Sequence, residues 1–278
     1  MTALALTGVV ALGSIAAGLV GSLTGLGGGI IIVPMLTIGL GIDIRYAIGA
    51  SLISVIATSS GAAAAYVKEG YSNIRLGMLL EVATTVGAIV GANLAGWIST
   101  DMIGIIFGLV LLYSAYRSFK RREDHIVVES TDPLAERLKL NSTFPTPRGK
   151  QPYAVQSVKA GFSMMFGAGI FSGLLGIGSG VFKVLAMDQA MRLPFKVSTT
   201  TSNFMIGVTA AASAGVYLHR GYIEPEIAFP VMLGVLFGAT LGSKLLATAD
   251  VKILRAFFSV VIIVLAVQML YKGLMGAL

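Results

Sequence analysis

The chain has no cysteine in 278 residues and only two histidines. Disulfides, thiolate metal sites and thiol catalysis are excluded, and a histidine metal cage has too few ligands to form. Charge is scarce as well. Asp, Glu, Lys and Arg make up 12% of the sequence, against about a quarter in an ordinary soluble domain. So few charged groups cannot cover a soluble surface. The apolar share is 55% and the mean hydropathy +0.86. Several uncharged runs suffice to cross a ~30 Å hydrocarbon layer, which takes roughly 20 residues per helix, and no run shows the alternation of a membrane β-barrel. These absences predict an all-α polytopic membrane protein with the lipid bilayer as its first partner.

The net charge of +7 does not argue for nucleic acid, because nine of the twenty Lys and Arg fall in one polar stretch from Arg117 to Lys159. Charge placed that way is loop charge. The acidic residues well inside apolar segments, Glu81 and Asp188, are too few to coordinate a hard cation. No nucleophile and base pair marks an enzyme, and no cofactor or resident metal is implied.

What the sequence does contain is a repeat. Gly25-Leu26-Gly27-Gly28-Gly29 falls on Gly176-Ile177-Gly178-Ser179-Gly180, an offset of 151 residues. The same offset carries Gly18 to Gly169, Tyr66 to Tyr217, Gly70-Tyr71 to Gly221-Tyr222, Gly87 to Gly238 and Gly91 to Gly242. Residues 1–119 form a first transmembrane repeat and 157–278 a second. Between them, 120–156 lacks helical periodicity and reads as a flexible cytoplasmic linker, too polar to fold alone. Arg117, Lys120, Arg121, Arg122 and Lys159 flank that linker, and the Lys/Arg bias places it inside. The Lys68 to Arg75 loop and the Arg192 to Lys196 loop then also lie inside, and the turn near Ser99 and the Glu224/Glu226 loop outside. That assignment works only if 3–40 and 157–191 enter and leave on one side as glycine-broken hairpins, each followed by three transmembrane helices. The two repeats are then inverted relative to one another, as in many carriers with a midplane site at the repeat interface.

Non-helical backbone at membrane depth is tolerated only where protein buries it or a watery cavity faces it. Gly27, Gly28 and Gly29, with Gly178, Ser179 and Gly180, are therefore candidates to bind substrate, since first-turn amides lack intrahelical partners and favour an anion. Close helix packing is the competing reading of any small-residue pattern, and it is the preferred one for the Gly87/Gly91 and Gly238/Gly242 spacings. Neither cluster is followed by the Lys-Ser/Thr pair of a nucleotide-binding loop.

A lysine in an apolar segment costs about 2.5–3.5 kcal/mol, and Lys183 stands three residues beyond Gly180, where the first copy has Ile32. It is expected either to add charge to an anion site or to pair with Asp188. Ser51, Thr201, Ser202 and Asn203 are candidate donors to substrate oxygens, although hydroxyls also bond back to their own helix. Glu81 lies two turns into its segment and is the candidate proton-coupling group, with a structural hydrogen bond as its rival role. Trp97 and Tyr66, Tyr71, Tyr217 and Tyr222 sit near segment ends, where an interfacial aromatic belt is expected.

The first glycine cluster, with Pro34 five positions on, and its echo at Gly176 to Gly180 resemble the signature of the TauE/SafE family, the sulfite exporters and sulfonate permeases. The resemblance spans both halves and omits only the linker. It implies a multi-pass secondary carrier of the cytoplasmic membrane that moves small sulfur-containing oxyanions or organic anions. The second copy departs from the pattern, with Leu185 for proline and the added Lys183. The expected function is alternating-access transport of a sulfite-like anion or organosulfonate; an anion channel with a fixed glycine constriction is the alternative. Monomer and homodimer both stay open.

Overall fold

A computed structural model describes residues 3–24, 28–68, 70–119, 132–146, 149–246 and 251–278. The first half runs α1 (Ala3–Thr24), α2 (Gly29–Pro34), a π-helical turn (Met35–Gly39), α3 (Ile44–Lys68), α4 (Ile74–Leu94) and α5 (Thr100–Phe119). A short α6 (Pro133–Arg137) and a hairpin of β1 (Ser142–Thr146) and β2 (Gly149–Tyr153) follow. The second half runs α7 (Val158–Leu175), α8 (Gly180–Leu185), a second π-helical turn (Ala186–Ala190), α9 (Phe195–His219), α10 (Pro225–Leu246) and α11 (Val251–Leu274).

The 151-residue offset holds in three dimensions: α2 and α8, both π turns, and α3 and α9 begin and end on matched residues. The π turn follows Pro34 in one half and Leu185 in the other. A proline cannot be its cause where none is present, so surrounding packing selects it in both. Helix pairing joins the halves: α1 lies mainly along α10, α4 along α7, α5 along α11 and α3 along α9. Glycine makes these crossings close. A Cβ on Gly18 would stand 2.3 Å from the Val235 carbonyl oxygen, and one on its mate Gly169 would stand 2.2 Å from that of Thr84. Gly87 and Gly238 repeat the arrangement against Phe166 and Ile15, and Gly91 lies as tightly on Ile170. The packing role expected for these glycines is the observed one.

Large apolar side chains face outward in stripes at helical spacing. Met78, Val82 and Val86 on α4 are matched by Phe229, Leu233 and Phe237 on α10, all half-exposed or more. A belt of this kind is stable against lipid rather than water. Among the described residues, α4 and α7 are each long and apolar enough to cross a bilayer, while the apolar stretches of the other helices are shorter.

The central segment departs from its expected flexibility over its described part. Asp132 caps α6 by accepting from the Leu134 amide at 2.9 Å, and its second oxygen accepts from the Val158 amide at 2.6 Å. Leu140, Phe144, Tyr153 and Val155 are buried in one cluster with Leu76, Leu80, Met187 and Met191. Asn73 Nδ2 donates to the Leu140 carbonyl and to the Tyr153 hydroxyl at 2.8 and 2.9 Å. The segment is too polar to fold alone, yet it borrows its core from the ends of α4 and α9 and the second π turn.

Candidate functional site

The start of α2 meets the second helix break. Gly29 opens α2 so near the second break that a Cβ on it would stand 2.6 Å from Ser51 Oγ and 3.1 Å from the Gly176 carbonyl oxygen. Ser51, fully buried on α3, donates to that carbonyl at 2.8 Å. Gly176, Gly178 and Ser179 take positive φ of 67°, 67° and 47°, the left-handed backbone that lets α7 turn into α8. Gly28, in contrast, is helical, with φ −65° and ψ −21°. Gly27, with Gly25 and Leu26, lies outside the described residues.

At the second break, Gly178 abuts Ile206 and Val55, and Gly180 abuts Ile206, with Ser202 Oγ 3.8 Å from where its Cβ would stand. Gly28, Gly29, Gly178 and Gly180 are all buried. The expected solvent-lined clasp of backbone amides is thus closed over in this state. The hydroxyl run is engaged in structural bonds as well. Ser202 Oγ donates to the Gly180 carbonyl at 3.4 Å, and Thr201 Oγ1 accepts from the Asn73 amide at 3.0 Å. These hydroxyls tie helices together here. Asn203 is partly exposed, one residue and so 100° around α9 from the face Ser202 presents to α8.

One turn beyond Ser179 lies the charged cluster. Lys183 is fully buried on α8, and its Nζ donates to Thr209 Oγ1 on α9 at 2.5 Å. Thr209 donates in turn to Glu81 Oε1 on α4 at 2.6 Å. Glu81 Oε2 lies 3.8 Å from Lys183 Nζ. Thr85 donates to Oε1 at 3.2 Å, and Thr84 Oγ1 stands 3.4 Å from Thr209 Oγ1. The ammonium, expected either to add charge to an anion site or to pair with Asp188, is matched by Glu81, 102 residues away in the other half. A buried ion pair bridged by a hydroxyl satisfies the condition under which low-dielectric burial of charge is tolerated. Asp188 lies five residues after Lys183, in the π-helical turn that follows α8.

Phe182 anchors α8 beside this cluster, stacked against Phe171 at 5.1 Å and Tyr113 at 5.8 Å between ring centroids. Ser179 stands four residues before Lys183, at the N-terminal end of α8, and its carbonyl accepts from the Lys183 amide at 3.0 Å. It is 2% exposed and its Oγ has no hydrogen-bond partner among the described residues.

Sequence reasoning missed Thr209. A lone helical threonine ordinarily bonds to its own backbone, and its repeat mate Thr58 does so, donating to the Ser54 carbonyl at 3.0 Å. The tyrosine belt also needs correction. Trp97 is 87% exposed, as a belt residue should be, but Tyr217 is buried and its hydroxyl donates to the Leu174 carbonyl at 3.4 Å. Tyr71 lies under Lys196 Nζ, 3.8 Å from its ring centroid, and Tyr222 lies under Arg45 at 5.8 Å. Tyr66 has no described side-chain placement.

A helical protein with a lipid-suited apolar surface and a buried cation beside a broken helix fits the class of membrane transporters, to which its relatives belong. The chain is a member of the sulfite exporter TauE/SafE family, whose model matches residues 10–269. It is 27% identical to the probable membrane transporter protein YunE of Bacillus subtilis, over 96% of this chain and 97% of that one. It is 26% identical to the probable membrane transporter protein YdhB of the same organism, over 82% and 85%, and 24% identical to a probable membrane transporter protein of Methanocaldococcus jannaschii, over 91% of each. No solved structure matches the chain.

Proposed function

We propose that this protein is a secondary transporter of small sulfur-containing oxyanions or organosulfonates in the cytoplasmic membrane, working by alternating access between halves 1–119 and 157–278. The observation that carries the reading is Lys183, a fully buried cation one turn from the junction where Gly29 meets Gly176. A positive charge held there supplies what an anion loses when it leaves water. The sulfur chemistry of the substrate comes from the family description.

Inverted topology of the halves is supported by a matched pair of contacts. Lys196 over Tyr71 and Arg45 over Tyr222 are related by the 151-residue offset, yet they lie with different loops. The first accompanies the linker side, where Arg75 Nη1 donates to the Lys139 carbonyl and the Gln156 amide to the Met191 carbonyl. The second accompanies the opposite end, where Arg45 donates to the Ala95 and Ile98 carbonyls and Arg220 to Asn93 Oδ1. A pseudo-two-fold axis in the membrane plane exchanges those ends, and small rotations about it expose a central site to each side in turn. The apolar closure by Ile206, Val55 and Val235 around the breaks favours a carrier over a fixed-constriction channel.

Counterflow in proteoliposomes tests the reading. Trapped unlabelled sulfite, sulfate or taurine should accelerate entry of its labelled form. Flux without trans-acceleration would instead identify a channel, and no flux of any of these anions would reject the substrate class.

A further inference from the structure

Lys183 and Glu81 come from different halves, and their contact is indirect. At 3.8 Å the Nζ to Oε2 distance exceeds a hydrogen bond, so the pair is held through the Thr209 hydroxyl, which accepts from the ammonium and donates to Oε1. Glu81 Oε2 itself has no hydrogen-bond partner among the described residues. The carboxylate thus occupies, beside the ammonium, the position an oxyanion would need. Ser179, at the start of α8 four residues before Lys183, offers that oxyanion a second group: a buried hydroxyl with no hydrogen-bond partner among the described residues.

We propose that Glu81 is a resident competitor for the substrate's place on Lys183, so that each anion bound there puts one proton on Glu81 and the carrier moves the two together. The inference rests on the transport reading above. Before binding, the site holds one ammonium and one carboxylate, net charge zero. After binding it holds the ammonium, the anion and a carboxylic acid; for a monovalent anion the net charge is again zero. The proton comes from water entering with the anion and returns to water when the anion leaves. Without that proton, Glu81 would be a buried carboxylate with hydroxyl donors and no cation, the arrangement burial penalises most. The paired state needs no such proton.

Other titratable groups on the surrounding elements do not take this role. Arg75 on α4 donates to the Lys139 carbonyl, and Lys196 on α9 lies over Tyr71. Lys159 begins α7, His219 ends α9, and Asp188 lies in the π turn after α8. Among the described residues, Lys183 is the cation within ion-pair distance of Glu81. Electroneutral movement of a monovalent anion with a proton removes the membrane potential from its driving force. The pH gradient and the anion gradient then set direction.

Methanesulfonate, sulfate and thiosulfate carry no exchangeable proton at neutral pH, so protons counted on their binding belong to the protein. Binding to purified protein is measured by calorimetry and proton uptake by a pH indicator in weak buffer. We expect one proton taken up per anion bound, and affinity falling about tenfold for each unit rise in pH. Glu81→Gln should bind more tightly at neutral pH, without proton uptake or pH slope. Binding with no proton uptake by the unaltered protein overturns the competitor role and leaves the transporter reading standing. No binding of any of the three anions, nor of sulfite or taurine, overturns both, and unchanged binding by Lys183→Met removes that side chain as the ligand. Should Glu81→Gln fail to fold, the proton count and pH slope of the unaltered protein decide alone.

Discussion

The two halves share one backbone and differ at its centre. Where the second half places Lys183 and Thr209 against Glu81, the 151-residue offset has Ile32, Thr58 and Met232 at the matching positions. Ile32 and Lys183 are both wholly buried, so the frame accepts an aliphatic side chain or an ammonium at the same depth, provided the facing residue changes with it. Duplication built a symmetric chassis, and charge was installed once. A single buried cation suits a site that holds one anion at a time; a second would need its own counter-charge.

The largest expected effect breaks this asymmetry. Lys183→Met should destabilise the protein by about 3–5 kcal/mol, because Glu81 is left as an unpaired buried charge. Lys183→Ile combined with Glu81→Met copies the first half into the second and should restore stability while abolishing anion transport. Thermal unfolding in detergent, paired with proteoliposome flux, reads both. If the double variant is no more stable than the single one, the two centres are not equivalent frames.

The chassis itself should respond symmetrically. Gly18→Ala and Gly169→Ala each push a Cβ into a backbone carbonyl of the facing helix, and each should cost about 1–3 kcal/mol. A large difference between the two measured losses would mean that the halves do not carry equal packing load.

A smaller contrast lies in the serine mates, Ser51 and Ser202. Both donate to carbonyls of the second break, at 2.8 and 3.4 Å. Ser51→Ala should cost about 1 kcal/mol, and Ser202→Ala less, because its bond is long. Equal losses by chemical denaturation would contradict the geometry.

The smallest effect concerns the central segment, which has no symmetry mate. The Val158 amide, then those of Leu134 and Ala135, hold the Asp132 carboxyl below the usual carboxylate range despite some desolvation. A depressed folded-state value stabilises docking above the unfolded carboxyl value, about pH 4. That contribution is lost as pH falls through the lower folded value. Hydrogen exchange at the amides of 132–156 should therefore show protection, relative to intrinsic rates, that falls on acidification, and Asp132→Asn should flatten the change.

Much of the chassis was legible early. The glycine register and the close-packed Gly87 and Gly238 follow from side-chain size and hydropathy, which act locally and repeat. Lys183 and Glu81 each stood out as charges inside apolar runs, but nothing in the string joins residues 102 positions apart in different halves. Thr209 carried no signal, because its bridging role exists only once Lys183 and Glu81 converge on it. The central segment was misread for a related reason. Its few apolar residues, Leu140, Phe144, Tyr153 and Val155, find their core on helices that composition alone does not reveal.

By itself the sequence determined that this chain lives in lipid, that it is doubled, and that its doubled helices break at glycine, since apolar content, periodicity and backbone freedom are properties of neighbouring residues. Only the tertiary structure decided which charge meets which, that Ser51 and Ser202 bond to carbonyls of the second break, and that the start of α2 reaches that break. Those outcomes depend on distances between residues far apart in the chain, and in a low-dielectric interior such distances control whether a charge can be buried at all.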